Sequence, residues 1–129
     1  MTNIFLLEDD PKRRAWFVTR SIGCSLDVTD SIAEAKQMLR SKSYDQIFLD
    51  HDLSDEHYAV WQEGSDKHDA TTGYAIAAFL ADNPDLSKDA QIVIHSLNPV
   101  GSERMANKLK ESRQNVARIP FLDLMLIQQ

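Results

Sequence analysis

Residues 4–11 read IFLLEDDP, and this stretch predicts a buried strand that runs directly into a helix. Its four apolar residues do not alternate with polar ones, which is typical of a strand covered on both faces. Asp10 has the side chain of a helix N-cap, and Pro11 suits the first helical position. We expect this helix to extend to about Ile22, with Gly23 as its stop.

The same design, an apolar run that ends in polar residues, recurs twice more along the chain. Ile47–Leu49 runs into Asp50-His51-Asp52, and Ile92–Ile94 runs into His95-Ser96. Two shorter segments, Leu26–Thr29 and Val116–Phe121, provide the remaining strands.

Helices are predicted between these strands. Ser31 and Glu34 have the spacing of a capping box for the second helix. Thr72 or Thr71 caps a third helix, which extends through Phe79 and is stopped by Asn83-Pro84. Ser102 is the predicted cap of a fourth helix that continues to about Arg113.

This alternation of strands and helices predicts an α/β fold with a parallel sheet covered on both faces. In such sheets ligands bind beyond the carboxyl ends of the strands. Glu8 and Asp9, Asp50, and His95 with Ser96 follow three separate strands, so we expect them to meet at one edge.

Length and composition limit the functions open to the chain. Its 129 residues fit one domain, spanning 1–129, and its net charge of −6 argues against non-specific binding to duplex nucleic acid. No apolar run approaches the ~18 residues of a membrane span. The acidic N-terminus does not resemble a signal peptide, and Cys24 is the only cysteine, so we expect a cytoplasmic protein.

The acids at the strand ends predict a divalent-metal site. Mg²⁺ and Mn²⁺ prefer hard oxygen ligands, typically two or so carboxylates together with the phosphate of a substrate. Glu8, Asp9 and Asp50 are the predicted ligands. Asp50 would be ionised beside the cation, either as a nucleophile and phosphoacceptor or as a ligand only.

Nearly the whole chain resembles a receiver domain of the response-regulator superfamily. The segment IFLLEDDP is similar to the first strand of that family with its acidic pair, and YDQIFLD is similar to the strand that carries the phosphoacceptor aspartate, here Asp50. Ser96, after QIVIH, matches the hydroxyl residue of the family. The resemblance implies a flavodoxin-like five-stranded parallel sheet of order 2-1-3-4-5.

The sequence departs from the receiver pattern in three places. Receivers carry a phosphoryl-contacting lysine before a proline at the end of strand five, whereas Ile119 precedes Pro120 here. Only Leu122–Gln129 remain for the last helix, which we therefore expect to be short. The loop after the phosphoacceptor strand, residues 53–71, is long for a βα connection, where ~2–6 residues is usual, and it is a candidate lid.

These departures, together with LEDDP, FLDHDL, Thr72-Gly73 and HSLNPVGSERM, are similar to the divergent cyclic-phosphate-processing receiver group. That resemblance implies an action on cyclic phosphate ends of nucleic acids. It also implies additional site residues, namely His51, Asp52, His95 and Asn98.

Three functions remain open from the sequence. The first is a Mg²⁺- or Mn²⁺-dependent phosphoesterase acting on a small phosphate ester or a nucleic-acid terminus, with His95, and after it His51, as the proton-transferring group. The second is a degenerate receiver that serves as a signalling or interaction module. The third is a binding domain in which the apolar tail, Leu122–Ile127, joins two copies into a homodimer.

Overall fold

The computed structural model describes residues 1–53 and 71–127. Strands and helices alternate along these two ranges: β1 (Asn3–Leu7), α1 (Pro11–Arg20), β2 (Ser25–Thr29), α2 (Ile32–Ser41), β3 (Gln46–Leu49), α3 (Gly73–Asp82), β4 (Gln91–Ile94), α4 (Pro99–Lys110), β5 (Val116–Arg118) and α5 (Phe121–Ile127). Most of the predicted long loop, 53–71, lies outside the described residues, so its length and role stay predictions. In the part of the chain described, no helix is long and apolar enough to cross a membrane.

The five strands form one parallel sheet in the order β2-β1-β3-β4-β5, as predicted. The strand order reverses between β1 and β3, which are paired in the register Leu7 to Leu49. Because Glu8 and Asp50 each follow one of these paired residues, the two acids emerge side by side at the switch point, where ligands of such sheets bind.

Apolar side chains from the sheet fill two cores, one on each face. Alternate residues of one strand point to opposite faces, so Phe5 and Leu7 of β1 join the larger core while Leu6 joins the smaller. The larger core receives buried residues of α2, α3 and α4, and the smaller one receives Phe17 of α1 with Phe121 and Leu124 of α5. This two-sided burial explains why the central strands β1, β3 and β4 are apolar after their first residue.

Three of the predicted helix caps are confirmed. The Asp10 side chain accepts the Arg13 N–H at 2.9 Å, and Ser31 accepts the Glu34 N–H at 3.2 Å. Thr72, the first of the two alternatives for α3, accepts the Tyr74 N–H at 3.2 Å. Each cap provides a partner for an amide that the helix itself leaves unpaired.

The prediction for the start of α4 was wrong. The cap is Asn98, whose Oδ1 accepts the Gly101 N–H at 2.9 Å, and Pro99 occupies the first helical position. Ser102 lies inside the helix, 3% exposed, and donates its hydroxyl to the Ser96 carbonyl at 3.3 Å. The helix ends at Lys110 rather than near Arg113. An Asn-Pro pair competes well as a helix start because proline needs no partner for an amide hydrogen.

The first helix and the last strand are shorter than predicted. The first helix ends at Arg20, and Gly23 lies in the following turn with a φ of +85°. The last strand ends at Arg118, because the Pro120 carbonyl accepts the N–H groups of Asp123 and Leu124 and so begins α5. The final helix is short, as expected, with 7 residues.

Gly73 brings the start of α3 against the backbone of Asp50. Its N–H donates to the His51 carbonyl at 2.8 Å. A Cβ at Gly73 would lie 1.7 Å from the Asp50 carbonyl oxygen and 3.1 Å from the His51 Cα. Any side chain at this position therefore has to move the backbone that carries the acid.

We expect Gly73→Ala to destabilise the fold by at least ~2 kcal/mol, since overpacking typically costs ~1–3 kcal/mol and here the neighbour is backbone. Gly23→Ala is the matched control: its Cβ meets no atom within 4 Å, so only its positive φ opposes the substitution. Urea unfolding of both variants measures the difference. Equal losses of stability would contradict the close approach at Asp50.

Candidate functional site

Side chains from three strand ends meet at the carboxyl edge of the sheet. Glu8 follows β1, Asp50 follows β3 and His95 follows β4. They are buried, with exposed fractions of 0%, 3% and 1%. One potential ligand atom of each lies within 4.8 Å of the others. We call these three residues the acid cluster.

The Glu8 carboxylate is fully engaged by donors. Its Oε1 accepts from His95 Nε2 at 2.8 Å and from Arg13 Nε at 2.9 Å. Its Oε2 accepts the backbone N–H groups of Asp9 and Asp10, both at 3.1 Å. Burial alone would raise the pKa of Glu8, but the bonds from His95 and Arg13 outweigh it and lower that pKa. Glu8 is therefore a buried, ionised carboxylate.

Asp50 accepts fewer hydrogen bonds than Glu8, and its charge state differs from that of Glu8. Its Oδ1 accepts the His51 N–H at 2.9 Å, and Arg13 Nη2 lies 3.5 Å from its Oδ2. Burial, followed by the negative charge of Glu8, raises the pKa of Asp50 to about 8, with Arg13 acting in the opposite direction. The two neighbouring carboxyls thus differ in protonation near neutral pH, because an ionised Glu8 disfavours a second charge beside it.

Asp9 lies at the rim of the acid cluster and is not part of it. Burial and the charge of Glu8 raise the pKa of Asp9 to about 6. The group of ligand atoms contains His95 where the sequence predicted Asp9. The role of Asp9 as a metal ligand stays a prediction.

His95 is held between the acid and an aromatic ring. Burial lowers its pKa, although Glu8 acts in the opposite direction. The 2.8 Å contact identifies Nε2 as the atom that donates to Glu8, so the neutral ring carries its lone pair on Nδ1. Among the described residues, Nδ1 has no hydrogen-bond partner, and the Phe17 ring lies 5.2 Å away, centroid to centroid.

His51, Asp52 and Asn98 form a second group at the same edge. His51 Nδ1 lies 2.7 Å from Asp52 Oδ1, and the Asn98 amide nitrogen lies 3.4 Å from that ring nitrogen and 3.3 Å from Asp52 Oδ1. Ser96 Oγ accepts the Asn98 N–H at 3.1 Å. Asn98, which also caps α4, therefore connects His51 and Asp52 after β3 with Ser96 after β4.

The His51 ring is pressed against the first turn of α4. A Cβ at Gly101 would lie 2.5 Å from two ring carbons of His51. The strand ends at Leu49, so the alternation of side chains does not continue to His51. Asp50 therefore belongs to the acid cluster and His51 to the neighbouring group with Asp52 and Asn98. Strand alternation does not determine where these two side chains lie.

Arg13 belongs to this site, although the sequence alone does not distinguish it from its basic neighbours Lys12 and Arg14. Its guanidinium reaches both Glu8 and Asp50, and Arg14 donates from Nε to the Glu8 carbonyl at 2.6 Å. Basic residues in the first turn of a helix look solvated in a sequence. The available signal is that side chains on a helix point back toward its N-terminus, here toward the end of β1. Ile119, at the lysine position of receivers, packs into the smaller core instead.

A cavity of about 310 Å³ adjoins this edge between β4, β5 and the start of α4. Its polar lining comes from Ser96, Ser102 and Arg118, and its apolar lining includes Ile94, Leu97 and Pro99. The Arg118 guanidinium donates to the carbonyl of Pro99, another lining residue, at 3.1 Å.

The two carboxylates of the acid cluster fit Mg²⁺ or Mn²⁺, which prefer hard oxygen ligands. The carboxylate oxygens that would bind the ion are those that Arg13 contacts. Glu8, Asp50 and, at the rim, Asp9 are the residues that would hold it.

A parallel sheet of this order, with acids after β1 and β3, defines a receiver-type α/β domain. The chain belongs to the family described as the cyclic-phosphate processing receiver domain, whose sequence model matches residues 3–111. Among curated proteins, none matches the chain.

Solved structures share the fold at low sequence identity. The receiver domain of a sensor histidine kinase from Pseudomonas aeruginosa, with magnesium in its active-site cleft, is 18% identical with a TM-score of 0.63, covering 99% of this chain and 94% of that one. The response regulator TrrA of Thermotoga maritima, in complex with Mg²⁺ and BeF, is 17% identical with a TM-score of 0.61, covering 99% and 95%.

A response regulator from Burkholderia pseudomallei, with a phosphorylated aspartic acid, a calcium ion and citrate, is 17% identical with a TM-score of 0.60. The alignment covers 98% of the present chain but 65% of that protein, so the chain spans less than two thirds of its length. These likenesses concern the fold.

The raised pKa of Asp50 predicts a pH-dependent stability. The folded protein holds the Asp50 proton more tightly than the unfolded chain, so this stabilisation is complete below pH ~4 and is lost as the pH rises through about 8. Asp50→Asn does not titrate. We therefore expect the stability of the variant, relative to wild type, to increase with pH across this window by at most ~1.4 kcal/mol per pH unit.

Urea unfolding at several pH values, with a chelator present, measures this trend. Asp89→Asn, at an exposed acid that precedes β4, is the control for the loss of one carboxyl group. A flat difference between Asp50→Asn and wild type across this window would contradict the raised pKa.

Proposed function

We propose that this protein is a Mg²⁺- or Mn²⁺-dependent phosphoesterase that acts on a cyclic phosphate, carried by a nucleotide or by an RNA end. The observation that carries the proposal is the acid cluster, in which two buried carboxylates and an imidazole present ligand atoms within 4.8 Å at the switch point of the sheet. Membership of the cyclic-phosphate processing family supports the substrate class.

A divalent ion would supply charge neutralisation at the phosphoryl oxygens. The chain itself contributes two buried imidazoles at the same edge, His95 and His51. Histidine is the side chain best suited to moving protons near neutral pH. Hydrolysis of a cyclic phosphate needs such a group, because a proton leaves the attacking water and another reaches the departing ribose oxygen.

His95 is our first choice for this role and His51 our second. The Nε2 atom of His95 donates to Glu8, which fixes the ring and leaves the basic Nδ1 atom for a proton. Asp52 orients His51 in a similar way through the 2.7 Å contact at Nδ1. A carboxylate that holds an imidazole in one tautomer is a recurring arrangement in acid–base catalysis.

The cavity beside Ser96 supports an organic substituent on the phosphate. Its volume of about 310 Å³ is at the lower end of small-molecule sites, which typically have ~300–1,000 Å³. The cavity combines apolar walls with hydroxyl and guanidinium donors, which suits a nucleoside. The single cysteine, Cys24, is consistent with action in the cytoplasm.

A second candidate function is a degenerate receiver that works as a signalling or interaction module. The position of Asp50 at the end of β3 favours it, because this is the phosphoacceptor position of receivers. The exposed apolar residues of α5, Leu122, Leu126 and Ile127, offer a face for a partner or a second copy. Durable phosphorylation of Asp50 by acetyl phosphate, seen in the intact mass, would favour this function over hydrolysis.

Metal binding is the first requirement of the proposed enzyme. Titration with MgCl₂ or MnCl₂ should raise the melting temperature, since an ion that binds only the folded state stabilises it by ~2.7 kcal/mol at a hundred times its Kd. Asp9→Asn and Asp50→Asn should each weaken this response, whereas Asp89→Asn should not. An unchanged wild-type melting curve at millimolar metal would exclude a metal-dependent enzyme.

The second requirement is turnover. A 2′,3′-cyclic-phosphate RNA end should be opened in the presence of metal, and His95→Asn should reduce the rate by ~10²–10⁴ if this group moves the proton. The rates of His51→Asn and Asp50→Asn, with folding checked by circular dichroism, complete the comparison. Activity without metal, or full activity in both histidine variants, would refute the mechanism.

A further inference from the structure

We propose that Arg13 is an exchangeable cation of the site: it neutralises Glu8 and Asp50 when no metal is bound, and it binds the phosphoryl oxygens of the substrate once a divalent ion has replaced it. The inference rests on the proposed function in one respect, namely that a divalent ion binds the acid cluster. It adds a substrate-contacting residue that the receiver pattern does not supply.

The contacts place Arg13 where a cation is needed. Its Nε lies 2.9 Å from Glu8 Oε1 and its Nη2 lies 3.2 Å from Glu8 Oε2, so the guanidinium grips the carboxylate with two bonds. The same Nη2 lies 3.5 Å from Asp50 Oδ2. One guanidinium thus bridges the two acids that would bind the ion.

Burial makes Arg13 the outer member of this group. Its side chain is 26% exposed, while those of Glu8 and Asp50 are 0% and 4% exposed. A guanidinium and a divalent ion cannot both occupy the same carboxylate oxygens. Because Arg13 is on the solvent side and its side chain is long, it can swing away without disturbing the core.

When a divalent ion displaces the Arg13 guanidinium from the carboxylates, the residue itself stays on the first turn of α1, beside the acid cluster. Its planar fork matches a phosphoryl group, to which it donates two parallel hydrogen bonds. The position that holds the phosphoryl-contacting lysine in receivers carries Ile119, which is packed in the smaller core. Arg13 therefore provides, from α1, a positive charge that the residue at the lysine position does not supply.

Arg14 differs from Arg13 and does not take this role. Its Nε is bound to the Glu8 carbonyl at 2.6 Å, and its Nη2 lies 3.6 Å from Asp30 at the end of β2. Its contacts hold the backbone of the turn and leave the carboxylates of the acid cluster to Arg13.

The proposal predicts effects of opposite sign from one substitution. In Arg13→Gln, the affinity for Mg²⁺ should rise, on the order of tenfold, since a competing charge-assisted contact is gone. The affinity for inorganic phosphate at saturating Mg²⁺ should fall by about tenfold to a hundredfold, the value of a hydrogen bond to a charged group. A residue with a purely structural role would weaken both.

The test is isothermal titration calorimetry of the full chain, first with MgCl₂ and then with inorganic phosphate at saturating MgCl₂. Arg20→Gln is the matched control, because this arginine of the same helix is exposed and contacts the Trp16 ring. Melting curves check that each variant folds. Arg13→Lys, which keeps the charge but loses the fork, should bind Mg²⁺ more tightly than wild type and phosphate more tightly than Arg13→Gln.

The outcomes separate this inference from the proposed function. Tighter Mg²⁺ binding together with weaker phosphate binding in Arg13→Gln supports the inference. Mg²⁺ binding that is equal in wild type and variant, or phosphate binding that is unchanged, overturns the inference and leaves the metal-dependent function standing. Absence of Mg²⁺ binding in every variant overturns both.

Discussion

The site depends on the burial of two carboxylates, Glu8 and Asp50, at adjacent strand ends. Removing an ionised carboxylate from water is costly unless hydrogen bonds and an opposite charge replace the lost hydration. Glu8 receives both, from the backbone of Asp9 and Asp10, from His95 and from Arg13. Asp50 receives less, and its pKa rises accordingly. At neutral pH, Glu8 is therefore ionised, whereas the raised pKa of Asp50 favours its protonated form.

This arrangement accounts for the surrounding structure. Gly73 lets α3 start against the Asp50 backbone, and Gly101 lets the His51 ring lie against the start of α4. Asn98 ties the two together, since it caps α4 and approaches both His51 and Asp52. Two helix starts and three strand ends are thus joined by short polar contacts, and a substitution at either glycine should be felt at the carboxylates.

The chain also shows how a receiver-type edge is altered when its lysine is absent. Ile119 joins the apolar packing on the face of α1 and α5, so the positive charge of the site comes from α1 itself. A charge on the first turn of α1 lies over Glu8 rather than beyond β5. The change places the cationic side of the site on α1, while the described cavity near Ser96 and Arg118 lies between β4, β5 and the start of α4.

The sequence by itself determined the strands, their parallel arrangement and the acids that end them, and the strand order followed from the resemblance to receivers. Apolar runs followed at once by Glu8, Asp50 and His95 are local signals, and side-chain caps such as Asp10 and Ser31 depend on residues only three positions apart. It misplaced the start of α4, because Asn98 and Ser102 are both good caps and only the packing of Ser102 against Ser96 excludes the latter. Similarly, the apolar pattern predicted a last strand that extends to Phe121, whereas the hydrogen bonds to the Pro120 carbonyl begin α5 there.

The sequence predicted that Glu8, Asp50 and His95 share one edge of the sheet, but the tertiary structure alone decided which side chains pair there. His95 contacts Glu8 although the two are 87 positions apart, and Arg13 reaches Asp50 across the sheet edge from another element. Neither pairing leaves a periodic or spacing signal, because the first depends on how two strand ends approach each other and the second on the angle between α1 and the sheet. The charge states of Glu8 and Asp50 follow from these long-range contacts and from burial, which the order of the residues does not encode locally.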